Sequence, residues 1–127
     1  MLTDKTGRFT LTGVPGSARA VCAQSAFRNV TVRNGSATGW GLGGVSLDSV
    51  DSAIEGVKSF GNATGMAVSS RGRVVDCVAE NNTAFGINIS TGGIAQRCTS
   101  YGNGGNSIQS NAQGAVSDCS SSFNNVD

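Results

Sequence analysis

Apolar and other residues alternate in short runs along this chain. The runs VTV (30–32), VSL (45–47), MAV (66–68) and INI (87–89) have a period of two. That is the period of a strand with one covered face. Gly, Asn, Ser and Thr, the residues of turns, bound each run. No stretch sustains apolar spacings of three, four and seven between a cap and a stop, so almost no helix is predicted. The pattern also repeats along the chain. Val45, Met66, Ile87 and Ile108 stand 21 residues apart, and Leu47, Val68, Ile89 and Ser110 run beside them. Leu11, Val32, Ala53, Val74, Ala95 and Val116 keep the same step. So do Cys77, Cys98 and Cys119, whose register runs back to Gly56, Gly35 and Val14. Gly44, Gly65 and Gly86, with Ser107 next, form another column, and Asn82, Asn103 and Asn124 a further one.

Short strands at this period predict one coil per repeat, each strand pairing with its equivalent one coil on, at a rise of ~4.8 Å. The predicted fold is all-β: a single-stranded right-handed parallel β-helix of about six coils, each of roughly 21 residues. The coils fall near 9–28, 30–49, 51–70, 72–91, 93–112 and 114–127, in one domain over residues 1–127. The first two are offset by about three residues, which is assigned to an insertion in GWGLGG (39–44). Leucine-rich repeats need more Leu than Leu2, Leu11, Leu42 and Leu47. Hexapeptide and nonapeptide solenoids have shorter periods.

Composition narrows the chemistry. With 9 Lys+Arg against 8 Asp+Glu the chain has no electrostatic footprint for nucleic acid. No apolar run reaches the ~18 residues of a membrane span. Met1 to Pro15 lacks the apolar stretch of a signal peptide. There is no His, which removes the commonest general base and the usual nucleophile pairs and zinc sets. No cofactor and no metal site are expected.

Segments such as NVTVRNG (29–35), VVDCVAENNTAFGINIS (74–90) and RCTSYGNGG (97–105) resemble β-helix repeats of the pectate-lyase-like superfamily. FTLTGVPGS (9–17) followed by NVTVRNGSATGWG is similar to a group of mostly uncharacterised bacterial β-helix proteins. The resemblance implies an extracytoplasmic or cell-surface protein and stacked Asn ladders. It implies a polysaccharide cleft along the VSL–MAV–INI strand. It does not imply turnover, since the fold hosts lyases, hydrolases, adhesins and tailspikes.

The columns also limit what chemistry is available. Stacked Cys77, Cys98 and Cys119 are read as free thiols in the core, because parallel Cβ atoms stay too far apart for a disulfide and converge poorly on a metal. The state of Cys22, off the column, is open. The Asn column is read as a turn cap and amide ladder. The row Asn34, Glu55, Asp76, Arg97, Asp118 is read as a surface ion-pair ladder, with a Glu55–Asp76 cluster as its sharper alternative. On the strand face, Ser46, Ala67, Asn88 and Gln109 point outward, and only Asp48 beside them titrates. Acid/base cleavage of a sugar chain needs at least two placed groups.

Trp40 and Tyr101 are the large aromatic candidates for sugar stacking, so the binding candidates are Trp40, Asp48, Asn88, Gln109 and Tyr101. Five Asn-x-Ser/Thr sequons follow from composition, and no outward Thr array supports ice binding. The leading expectation is a non-catalytic structural or surface-binding module that contacts polysaccharide. The rival is a small or truncated polysaccharide lyase or hydrolase using Asp48, Glu55, Asp76, Lys58 or Arg97. A solenoid needs covered ends. No capping helix precedes Phe9, so either a longer β-helix or self-association through a terminal coil or lateral face is expected.

Overall fold

The computed structural model describes residues 9–12, 19–23 and 28–125, with side chains from Arg28 onward. Among the described residues there are fourteen strands and no helix. The first seven are β1 (Phe9–Thr12), β2 (Arg19–Ala23), β3 (Thr31–Thr38), β4 (Gly43–Leu47), β5 (Ala53–Phe60), β6 (Thr64–Val68) and β7 (Arg73–Val75). The rest are β8 (Val78–Glu80), β9 (Ile87–Ile89), β10 (Ile94–Gln96), β11 (Thr99–Tyr101), β12 (Ile108–Ser110), β13 (Ala115–Ser117) and β14 (Ser120–Ser122). Strands β2, β4, β6, β9 and β12 stack in parallel as one sheet. The other nine form a second parallel sheet that bends around a corner, where β5 pairs with both β7 and β8. The chain is a parallel β-solenoid of about four turns. Six coils are expected from sequence; the first, 9–28, is described only at β1, β2 and Arg28, and the last, 114–127, supplies β13 and β14 but no strand of the first sheet among the described residues. No helix here is long and apolar enough to cross a membrane.

Each coil turns at three corners, and each corner is a residue in the left-handed region. Asn29, Asp51, Arg71, Gly92 and Gln113 form one corner column. Asn34, Gly56, Asp76, Arg97 and Asp118 form the next, five residues on, and Gly39, Gly61, Asn81, Gly102 and Phe123 the third. A positive φ reverses the chain within one residue, and Asn, Asp and Gly tolerate it best.

The repeat is not strictly 21, and this corrects several assignments. Thr31 pairs with Ala53, a step of 22, and Ala53 with Arg73, a step of 20. Val45 pairs with Met66 at 21. The coil through β4 therefore has one residue more between β4 and β5, and the next coil one fewer between β5 and β6. Ile54, not Ala53, continues the Val32–Val74–Ala95–Val116 column. Val57, not Gly56, stands in the Cys column, where its N–H donates to Cys77 Sγ at 3.5 Å. Gly56, not Glu55, stands in the charged row. The insertion assigned to 39–44 is elsewhere too. Val21 pairs with Val45 at 24 but Arg28 with Val50 at 22, so extra residues lie between Val21 and Arg28. Leu11 pairs with Ala37, a step of 26, so it does not continue the Val32 column; Phe9 is the residue that pairs with Gly35 of the Cys column, and Val14 lies outside the described residues. Cys22 pairs by backbone register with Ser46, and its side chain also lies outside them.

The core is the stacked interior: Val45, Leu47, Ile54, Val57, Met66, Val68, Val74, Ile87 and Ile89 are buried. Cys77 and Cys98 are buried free thiols and Cys119 is a half-buried one. The Cys77 thiol is pushed up by the hydrogen bond it shares with Cys98 and by burial. Beside them runs an amide ladder, Asn62–Asn82–Asn103–Asn124, buried at its first three members and half-buried at Asn124. Backbone N–H groups of Asn62, Asn82 and Asn103 donate to the Oδ1 of the next Asn at 3.1, 3.0 and 2.8 Å. The Nδ2 groups donate to the carbonyls of Ala37, Ser59, Ala79 and Ser100. A Cβ on Gly44, Gly65 or Gly86 would run into this ladder and the neighbouring carbonyl, which is why that column is glycine.

Candidate functional site

The column expected to face outward from the five-stranded sheet is in register: Ser46 pairs with Ala67, Ala67 with Asn88, and Asn88 with Gln109, but Ser46 is buried and the other three are half-buried. A shallow groove of about 270 Å³ runs beside it, and its lining includes Leu42, Ser46, Asp48, Thr64, Phe85 and Asn88. Leu42 is 57% exposed and supplies an apolar edge, with Phe85 half-buried. A second hollow of about 200 Å³ is lined by Trp40, Gly41, Asn62 and Ala63, and Gly41 and Ala63 are the chain neighbours of Leu42 and Thr64 in the groove. The loop holding Trp40 and Leu42 is tied to the coil below. Trp40 N donates to Asn62 Oδ1 at 2.7 Å. Ala63 N donates to the Trp40 carbonyl at 3.2 Å, and Thr64 N to the Leu42 carbonyl at 3.0 Å.

Of the five binding candidates, Asp48 and Asn88 share the groove and Trp40 lines the second hollow. Gln109 is one coil further along the column, where Asn106 Nδ2 donates to its Oε1 at 3.2 Å. Tyr101 is in the other sheet, 43% exposed, with its ring 5.3 Å from that of Phe123. Leu42, Thr64 and Phe85 were not among the candidates. Thr64 and Phe85 each precede a glycine of the Gly44–Gly65–Gly86 column, so that column carried the signal for both.

The charged residues are dispersed. Arg97 donates to both carboxylate oxygens of Asp76, at 2.7 and 3.0 Å, and Arg71 to both of Asp51, at 2.6 and 2.9 Å. These hydrogen bonds hold the Asp76 and Asp51 carboxyls below the usual carboxylate range. Glu55 faces Arg33 at 3.7 Å, and Lys58 faces Glu80 at 3.0 Å. Glu55 pairs by register with Val75, so it does not adjoin Asp76 in the corner row as expected. Asp48 makes no ion pair among the described residues. No group of three or more His, Cys, Asp or Glu among them is arranged to hold one ion.

Fold and surface together define a class: a parallel β-solenoid with one shallow, mixed polar and apolar groove on a sheet face. Comparison of the sequence with protein-family models, with curated proteins and with solved structures found no match.

Proposed function

We propose that this is a non-catalytic surface-binding module of the pectate-lyase-like kind, which seats a polysaccharide along the β4–β6–β9–β12 face. The observation that carries the reading is the groove itself. It sets Asn88, Ser46, Thr64 and Asp48 beside Leu42 and Phe85, with Trp40 next to it. Sugars offer hydroxyl edges and apolar ring faces, and such a mixed lining suits both. The groove contains one titratable group, Asp48, whereas acid/base cleavage uses at least two. The other acidic candidates, Glu55 and Asp76, are held by arginines away from the groove.

A glycan array followed by titration of the bound glycans tests this. Binding is expected to weaken at least about tenfold, or 1.4 kcal/mol, in Trp40→Ala and in Asn88→Ala. New reducing ends or unsaturated uronide absorbance would instead make the protein a lyase or hydrolase. Self-association through a terminal coil or a lateral face belongs to the proposal as well. A clean monomer by light scattering at micromolar concentration counts against that part.

A further inference from the structure

The groove on the first sheet holds polar side chains that the fold itself does not use. Ser46, Asp48, Thr64 and Asn88 all line it. Among the described residues none of these four side chains makes a hydrogen bond or an ion pair. Elsewhere the same residue types are engaged by the coils. Asn62, Asn82 and Asn103 serve the amide ladder, and Ser49 Oγ meets Ser52 Oγ at 2.6 Å.

The charge of the groove is one-sided. Asp48 is exposed and is its single ionisable lining residue. The residues level with Asp48 in the following coils, Ser69, Ser90 and Asn111, are neutral. Arg33, Lys58, Arg71 and Arg97 are each held by an acid of the second sheet or its corners, and Arg73 lies in β7 of that sheet. Arg28 is level with Val50, and its charge acts on Asp51. Arg19 in β2 is level with Gly43, about 16 Å along the strand from Asp48 at ~3.3 Å per residue. An ammonium group donates three hydrogen bonds, which a carboxylate with neutral acceptors around it meets well. A second carboxylate brought beside Asp48 is repelled, and an acetamide carries no charge for Asp48 to hold.

We propose that the groove selects glycans built from free 2-amino sugars, with the sugar ammonium on Asp48 and ring hydroxyls on Asn88, Ser46 and Thr64. This rests on the glycan-binding reading of the groove and names its ligand class. The chain carries a net charge of +1, so the molecule as a whole does not attract a polycation and the selectivity is local to the groove.

The test is calorimetric titration of the protein with three oligosaccharides of equal length: glucosamine, N-acetylglucosamine and galacturonate oligomers. The glucosamine oligomer is expected to bind at least about fivefold tighter than its N-acetylated form, a modest margin because Asp48 is exposed, and the uronide to bind most weakly. Asp48→Asn is expected to bring the amine-to-acetamide ratio near one. Raising the salt to ~1 M, where charges are screened within ~3 Å, should do the same. Equal or tighter binding of the N-acetylated or uronide oligomer, or an amine preference that survives in Asp48→Asn, would overturn the proposal and leave the glycan-binding reading in place. Binding of none of the three would overturn it as well, and the glycan array then decides the wider reading separately.

Discussion

At the residue scale, the corners decide how the chain turns. Arg71, Arg97, Gln113 and Phe123 occupy the left-handed region without the Gly, Asn or Asp chemistry that favours it. Such residues cost about 1–3 kcal/mol each and persist because the stacked coils on either side over-determine them. Gln113 is exposed. Gln113→Gly is therefore expected to raise stability by about 1 kcal/mol in urea unfolding. Gly102→Ala should lower it, since φ there is +63° and a Cβ would press on Asn81 Oδ1. The interior responds to charge more sharply. Cys98→Asp places an unpaired carboxylate in a buried row and is expected to cost more than about 4 kcal/mol. Cys98→Val should cost under about 1.5 kcal/mol. Normal folding of Cys98→Asp would contradict the interior assignment. The Cys and Asn columns were legible from sequence because equal residues recur at an equal step. The corner columns were not, because Arg, Gln and Phe at a corner look like any exposed residue. Only the five-residue step from Asn29 to Asn34 to Gly39 hints at them.

At the element scale, the amide ladder and the ion pairs differ in weight. Asn103 is 1% exposed and serves Asn82 N and Nδ2, the Ala79 carbonyl and Ser100 Oγ. Asn103→Leu strands all of these in the interior and is expected to cost about 3–5 kcal/mol by denaturant unfolding. The ion pairs are exposed and act mainly through pH. The Asp51 and Asp76 carboxyls sit below their ordinary value because arginine hydrogen bonds favour the ionised form. Their stabilisation is fully present above the unfolded value, ~3.9, and is lost as pH falls through the lower folded one. A double variant, Asp51→Asn with Asp76→Asn, should show a flatter acid limb below about pH 4 in thermal melts. A fixed step of 21 placed most columns correctly but misplaced Leu11, Ala53, Glu55 and Gly56. One residue gained before Ala53 and one lost before Thr64 cancel over the first sheet, so its Val45–Met66 register betrayed nothing.

At the scale of the whole molecule, the fold could be read from sequence because each coil contacts only its neighbours, and a column records that stacking directly. The groove was only half legible. Asp48 and Asn88 follow from strand alternation. Leu42 and Phe85 come from loops in different coils, and their meeting depends on how the loops lie against the sheet. Tyr101 shares the solenoid's outer surface but lies on another sheet. The central claim is that glycan lies along the β4–β6–β9–β12 face. The direct measurement is amide chemical-shift mapping with an oligosaccharide chosen from the array. Shifts are expected to concentrate in residues 40–48, 63–67, 85–88 and 109. Shifts centred on Tyr101 and Phe123, or none at saturating glycan, would contradict it.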